Sequence, residues 1–137
     1  MSGVPFHYVD LRTFVYDTED EHRVRAALEL FVPEDTPIDR EETTGHLGDR
    51  IVVLSLRVET ADAIRYVLDR LREADVDRVR AELPDRIDED CSLHLHLDKQ
   101  AAAQGTVALG EGIAFRAKVE AYPAKQETAI ENVREYL

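Results

Sequence analysis

The chain has 137 residues, a length that suits one domain and leaves no room for two of ordinary size. Hydrophobic residues make up 44% and charged residues 34%, so a core can form under a densely charged surface, which argues against disorder. Acidic residues outnumber Lys and Arg by 29 to 17, and the formal charge of −12 excludes a generally basic nucleic-acid-binding protein. We expect a single α+β domain over residues 1–137.

The positive charge is almost entirely arginine. Lys occurs only at positions 99, 118 and 125, while the acidic residues are spread along the whole chain. At molar salt the screening length falls to about 3 Å, so carboxylates can crowd a surface with little mutual repulsion. The composition therefore predicts a halophilic protein, with an ordinary acidic mesophilic protein as the alternative.

The cysteine count and the lack of long apolar runs bear on the cellular compartment. Cys91 is the single cysteine, so neither an internal disulfide nor a cysteine-based metal site is expected. The first 16 residues contain no basic region followed by an apolar block, and no run of 18 apolar residues occurs anywhere. We expect a cytoplasmic protein that does not contact a membrane.

Apolar spacing predicts the elements in chain order. Alternation with period two indicates strands, and apolar residues at i, i+3, i+4 and i+7 indicate helices. The expected strands cover residues 6–16, 38–44, 51–59, 91–98, 106–109 and 113–122. The expected helices cover residues 19–31, 61–74, a short stretch from 76 to 83, a turn at 99–104, and 124–136.

Local signals refine several of these elements. Thr18 to Glu21 has the form of a capping box for the first helix, and Thr60 and Asp98 are expected to cap later helices. Pro84 is expected to stop the third helix, and Gly105 to end the turn that Asp98 begins. In the first strand, alternation sets Val9, Leu11, Thr13 and Val15 against Phe6, Tyr8, Asp10, Arg12 and Phe14.

The order of elements predicts the architecture. Strands follow one another too closely for helical crossovers between all of them, so a two-layer α+β fold is expected, with helices on one face of a mixed or antiparallel sheet. The other face is then partly open to solvent. The residues expected on or near it are His94, His96, Arg116, Lys118, Arg12, Tyr8 and Tyr122.

Two constellations could carry chemistry. His94 and His96 lie roughly 7 Å apart on one side of a strand, a spacing compatible with metal binding, nucleic-acid contact or simple solvation. A metal would need a third ligand, and Cys91 has the opposite parity. The Asp98-Lys99-Gln100 junction offers a helix N-terminus and a mobile cation to a phosphate, unless Asp98 already caps the free N–H groups.

The other motifs give little information about function. Gly45-His46-Leu47-Gly48 precedes a strand and lacks the lysine of a phosphate-binding loop, so it is interpreted as a turn. Neither G-x-S-x-G nor H-E-x-x-H occurs, and no cofactor-binding pattern is present. We therefore expect no enzyme and no cofactor.

Several separated strings, taken in order, resemble the archaeal RNA-binding protein family described as a predicted exosome-associated subunit. The strings are Thr18-Glu19-Asp20-Glu21, Gly45-His46-Leu47-Gly48, Arg86-Ile87-Asp88-Glu89, Leu97-Asp98-Lys99-Gln100 with Gly105, and Ala121-Tyr122-Pro123. The resemblance implies a fold related to the fifth large-subunit ribosomal protein, an RNA-related role and no catalytic activity. One departure is His96, near which related sequences often have an arginine. An imidazole is a weaker cation than a guanidinium at neutral pH, so this departure weakens the expected phosphate contact.

The sequence thus predicts a non-enzymatic RNA-binding or RNA-processing-associated protein. We expect the open sheet face and the junction from Asp98 to Gln100 to form the contact surface. Lys99, Arg116 and Lys118 are expected to contact phosphates, and His94 and His96 bases or phosphates. Arg86 is expected to contact a phosphate or to support a residue that does. The expected partners are structured RNA, such as ribosomal or transfer RNA, a larger RNA-processing assembly, and a second copy of the chain. The alternatives are a protein–protein adaptor without RNA contact and, more distantly, a metal-dependent phosphoesterase.

Overall fold

A computed structural model describes residues 3–137. The predicted domain and the N-terminal stretch considered for a leader both begin at Met1, so their first two residues lie outside the described residues. The strands are β1 (Phe6–Tyr16), β2 (Asp39–Thr44), β3 (Arg50–Val58), β4 (Ser92–Asp98) and β5 (Gly112–Val119). The helices are α1 (Glu21–Glu29), α2 (Ala61–Leu71), α3 (Val76–Ala81), α4 (Leu83–Arg86), α5 (Lys99–Ala103) and α6 (Gln126–Tyr136).

The five strands form one sheet in the order β2-β3-β1-β5-β4, and every neighbouring pair is antiparallel. One face of the sheet packs against the helices, because alternate residues of the inner strands are buried while those between them are half-buried or exposed. The expected α+β fold, with helices on one face of an antiparallel sheet, is confirmed. We call the uncovered side the open face.

The core lies between the sheet and the helices. Leu11 of β1 and Ile113 of β5 are completely buried, and they belong to the same cluster as Leu28 of α1, Leu68 of α2 and Val133 of α6. Burying one such side chain contributes about 1.5–3 kcal/mol. Within residues 3–137 no helix is long and apolar enough to cross a membrane.

The first strand departs from the expected alternation at its beginning. The pairing of β1 with β5 shifts register between Phe6 and Tyr8, which marks a β-bulge. Phe6 is consequently buried, at 3% exposure, and packs edge-on against Tyr136, whereas Tyr8 remains half-exposed. The prediction that Phe6 and Tyr8 share a face was wrong, because a one-residue bulge reverses the parity.

The first helix begins later than its capping-box pattern predicted. Asp20, and not Thr18, is the N-cap, and its carboxylate accepts a hydrogen bond of 2.9 Å from the backbone N–H of His22. The caps predicted at Thr60 and Asp98 are confirmed, since they accept hydrogen bonds from Ala63 and Ala101. An acidic run such as residues 19–21 offers several carboxylates that can serve as the cap, and local sequence does not rank them.

Three other boundaries also differ. Pro84 does not stop a helix but lies in the first turn of α4, where its missing N–H costs nothing. The strand expected at 106–109 is reduced to a single bridge between Leu97 and Leu109. β5 ends at Val119, so Tyr122 lies beyond the sheet, before the cis peptide bond to Pro123, and is 97% exposed.

Gly112, the first residue of β5, gives a testable prediction about packing. Its φ of 113° is unfavourable for other residues, and an added Cβ would lie 2.4 Å from Cβ of Lys99. We expect Gly112→Ala to lower the free energy of unfolding by about 2–5 kcal/mol, measured by chemical denaturation. The matched control is Gly105→Ala, at a φ of 86° with no atom within 4 Å, which should cost only about 1–2 kcal/mol. Equal losses in the two variants would contradict the proposed clash.

Candidate functional site

The open face carries its polar side chains in cross-strand rows, because antiparallel register places one residue from each strand side by side. In the first row His94 of β4 lies opposite Arg116 of β5, which lies opposite Asp10 of β1, which in turn lies opposite Arg57 of β3. The second row runs, in order across all five strands, through His96, Ala114, Arg12, Ser55 and Asp39. Cations from three strands thus share one surface.

Asp10 joins two arginines of the first row. Its Oδ1 accepts a hydrogen bond of 2.7 Å from Nε of Arg57, and its Oδ2 accepts bonds of 3.0 Å from Arg57 and 3.2 Å from Arg116. The guanidinium of Arg57 also lies 3.8 Å from the centre of the Tyr8 ring. The hydrogen bond with Asp10 is the main cause that raises the pKa of Arg57, so this group is a permanent cation.

The two rows line a shallow groove of about 570 Å³. Its charged lining consists of three arginines and two aspartates, Arg12, Arg57, Arg116, Asp10 and Asp39, so it is locally positive even with both histidines neutral. The whole chain, in contrast, has a charge of −12. Within residues 3–137, Arg12 forms no ion pair with a carboxylate, and its guanidinium lies 5.6 Å from the centre of the Phe14 ring.

The histidines share the open face, but His94 is not simply solvated. Its Nε2 lies 2.8 Å from Oδ2 of Asp88, whose other oxygen accepts hydrogen bonds from the backbone N–H groups of Asp90 and Ser92. Burial, the largest influence on Asp88, acts to raise its pKa, but these backbone bonds and His94 together lower it. A carboxylate therefore orients His94. No group of three or more metal-ligating side chains occurs among the described residues, so the third ligand that a metal would require is not found there.

Lys118 lies at the end of the same face. It is opposite Tyr8 on β1 and Ser92 on β4, and its ammonium donates a hydrogen bond to the carbonyl of Asp90. The side chain is half-buried, with its charge held towards the rim of the face. Lys118 therefore adds positive charge next to the first row.

Lys99 is placed differently from the prediction. Its residue exposure is 7%, and its ammonium donates bonds of 2.8 Å to the carbonyl of Phe14 and to the carboxylate of Glu19. Asp98 caps the N-terminus of α5, which is the alternative under which no phosphate binds there. The expected Lys99–phosphate contact is inconsistent with this burial, and the junction is structural. Burial, the largest influence on Glu19, acts to raise its pKa, but the bonds from Lys99 and the Tyr16 N–H lower it.

Arg86 and Gln100 also lie away from the open face. The Arg86 side chain is 18% exposed in the helical layer, where its Nη2 and Nε donate to Oε1 of Glu82 at 2.6 and 3.1 Å. Gln100 is exposed on α5, beside Glu19 and Arg23 of the α1 region. The expected RNA-contacting set is therefore divided by the fold, with His94, His96, Arg116 and Lys118 on the open face and Lys99, Gln100 and Arg86 outside it.

The sequence-based selection missed three residues of the open face. Arg57 received no role, although it ends the first row and forms two hydrogen bonds with Asp10. Phe14 and Tyr16 lie at the end of β1, are 37% and 47% exposed, and have ring centres 6.4 Å apart. Parity could have identified Phe14 and Tyr16, since both follow Arg12 at alternate positions of the same strand.

A family model described as RNA binding matches residues 8–119. The chain belongs to this RNA-binding family. It is 35% identical to an RNA-binding protein from Pyrococcus abyssi, in an alignment that covers 96% of this chain and 93% of the relative. The expected membership is thereby confirmed at the level of the family.

Solved structures agree with the fold of this RNA-binding family. A DUF54 protein from Methanothermobacter thermautotrophicus is 39% identical, with a TM-score of 0.85 over 96% of this chain and 98% of that one. A DUF54 protein from Sulfolobus solfataricus has a TM-score of 0.69 over 94% and 98% of the two chains, and at 21% identity it shares the fold alone.

The buried Lys99–Glu19 pair generates a prediction about stability. In Glu19→Gln the ammonium loses its counter-charge in a site with little access to water, so we expect the free energy of unfolding to fall by about 1–3 kcal/mol at pH 7. The folded-state pKa of Glu19 is lowered, so its contribution is present above the unfolded pKa and is lost as the pH falls through the folded value. The difference between the two proteins should therefore shrink as urea denaturation is repeated below pH 4.5.

The control is the exposed Arg65–Asp62 pair on α2, in which the Asp62 side chain is 96% exposed. Asp62→Asn should change stability by less than about 0.5 kcal/mol. A Glu19→Gln loss that is no larger, or that is independent of pH, would contradict the structural role assigned to Lys99.

Proposed function

We propose that this protein is a non-enzymatic RNA-binding protein and that it binds RNA on the open face of its sheet. The observation that carries the proposal is the groove lined by the two rows. It contains three arginines and two aspartates, an excess of positive charge in a chain with a charge of −12. Arginine is the side chain best suited to phosphate, because its planar guanidinium donates two parallel hydrogen bonds. Membership of the RNA-binding family supports the same proposal.

The residues of this surface take distinct roles. Arg12, which lacks an ion-paired carboxylate within residues 3–137, and Arg116, whose side chain is 48% exposed, are assigned to phosphates. Lys118 adds charge at the rim. His94 and His96 present ring edges that can hydrogen-bond bases or phosphates. An anionic backbone that crosses the sheet would meet a cation on β3, β1 and β5 in turn.

Two finer expectations, one from the composition and one from the resemblance, are part of the proposal. We infer that the protein works at high salt and as a subunit of a larger RNA-processing assembly of the exosome type. The dominance of arginine and the 29 acidic residues support the first inference. The second is compatible with β2, an edge strand whose six residues are all exposed and which could add a strand to a partner sheet.

Paired substitutions on the open face test RNA binding. In Arg12→Ala/Arg116→Ala we expect about tenfold weaker binding. Each arginine that no longer neutralises a phosphate also lowers the slope of log K against log salt by about 0.7–0.9, because fewer counterions are released. The measurement is fluorescence anisotropy over a series of KCl concentrations with a hairpin RNA that carries single-stranded tails, so that paired and unpaired RNA are both offered.

The matched control is Arg65→Ala, which removes a similarly exposed arginine from α2 in the helical layer. It should leave both affinity and salt slope unchanged. If the wild-type protein does not bind this RNA at any salt concentration, RNA binding fails and the adaptor alternative takes its place. If both sets of variants weaken binding equally, the open face is not the binding surface.

The high-salt inference has its own test. Screening relieves repulsion among the carboxylates, so the thermal midpoint should rise by several degrees or more between about 0.1 M and about 2 M KCl. The exposed residues Glu34, Glu41 and Asp77 form no ion pair within residues 3–137, and replacing all three by lysine changes the formal charge from −12 to −6. That variant should show a much smaller salt effect in differential scanning calorimetry. An unchanged midpoint in the wild-type protein would refute the inference.

A further inference from the structure

We propose that the RNA on the open face is single-stranded and that two of its unpaired bases stack on the rings of Phe14 and Tyr16. This inference rests on the proposed function and adds the class of RNA. It concerns the end of β1 beyond the arginine groove. We call Phe14, Tyr16 and their cross-strand neighbours Val53 and Ile51 the aromatic platform.

The platform is apolar and accessible. Phe14 lies directly opposite Val53, and Tyr16 lies directly opposite Ile51, and both aliphatic side chains are half-buried. The two rings are 37% and 47% exposed and are inclined to each other by 37°. On the other side of β1 the neighbouring strand begins only at Gly112, which has no side chain to cover Phe14. Planar bases can therefore approach the rings.

The platform continues into the cations of the groove. Arg12 precedes Phe14 by two residues on the same face, a rise of roughly 7 Å along the strand, and its guanidinium lies 5.6 Å from the ring centre. Rings that stack bases beside cations that bind phosphates are the combination with which sheet surfaces bind single strands. A duplex keeps its base faces stacked on one another, so it cannot use the platform.

The platform is also held in place from below. Lys99 donates to the carbonyl of Phe14, and Glu19 accepts a hydrogen bond of 3.0 Å from the N–H of Tyr16. The Lys99 ammonium itself lies 5.3 Å from the centre of the Tyr16 ring. The buried pair thus orders the strand end that carries both rings. A surface ordered before binding loses less conformational entropy when it takes up a ligand.

Stacking also suits the ionic conditions inferred for this protein. Salt weakens phosphate contacts steeply, because each contact releases condensed counterions. Base stacking on an aromatic ring involves no such release and tolerates any base. At molar salt the platform would therefore account for most of the affinity that remains.

The experiment compares two RNAs of equal length, a single-stranded 12-mer with two adjacent 2-aminopurines and its fully paired duplex, each at low and high KCl. We expect the wild-type protein to bind the single strand more tightly and to quench 2-aminopurine fluorescence. Phe14→Ala/Tyr16→Ala should weaken single-strand binding about tenfold or more and abolish the quenching. The chain has no tryptophan, so Tyr16→Trp should keep the stacking and report it through its own emission.

Tyr66→Ala is the matched control. Tyr66 is 38% exposed on α2 and has Arg70 at 5.5 Å from its ring centre, so it reproduces the surroundings of Phe14 on the helical layer. It should leave binding unchanged. Should the double alanine variant unfold, Phe14→Leu/Tyr16→Leu keeps apolar contact with Val53 and Ile51 while removing the rings.

The outcomes separate the two proposals. If the arginine variants weaken binding but the ring variants do not, or if the duplex binds as tightly as the single strand, the stacking inference is wrong and RNA binding by the groove stands. If neither RNA binds, the proposed function fails and this inference fails with it. The inference is supported if, at high salt, the ring variants lose single-strand binding and quenching while Tyr66→Ala retains both.

Discussion

The structure depends on a sheet that has helices on one side only. The covered side buries the apolar residues of β1, β3, β4 and β5 in a single cluster with the helices. The uncovered side must then be stable in water, which it achieves by pairing charges across strands and by stacking an arginine on an aromatic ring. Antiparallel register is what brings side chains from distant parts of the chain into contact there.

Lys99 illustrates how the covered side supports the open one. A lysine is rarely buried without a partner, and here a carboxylate and a carbonyl provide two. The carbonyl belongs to Phe14, whose ring lies on the open face, so a buried ion pair and an exposed ring share one stretch of backbone. A residue that the sequence pattern assigned to direct ligand contact instead determines the shape of the surface.

The sequence predicted the layers and much of the open face, because period-two alternation is a local property that a short stretch displays in full. The placement of His94, His96 and Arg116 followed from parity within single strands. The role of Arg57 did not, since it requires knowing that β3 lies beside β1 and in which register. Pairing is decided by the packing of the whole sheet, which no short stretch encodes.

The errors have similar causes. The bulge at the start of β1 moved Phe6 into the core, because one extra residue reverses every face assignment before it. Lys99 follows directly after the polar-faced strand β4, so it was taken for a surface residue. Its burial depends on Phe14 of β1 and on Glu19 in the turn before α1, which lie about 80 residues away along the chain.

The position of Asp10 between two guanidinium groups has a consequence for kinetics. Its carboxylate occupies the place that an anion from solution would take, and it holds two arginine side chains by hydrogen bonds. An anion from solution must displace this tethered carboxylate, which stays close enough to return. Such an arrangement shortens the residence time of any anion that binds between the two guanidinium groups.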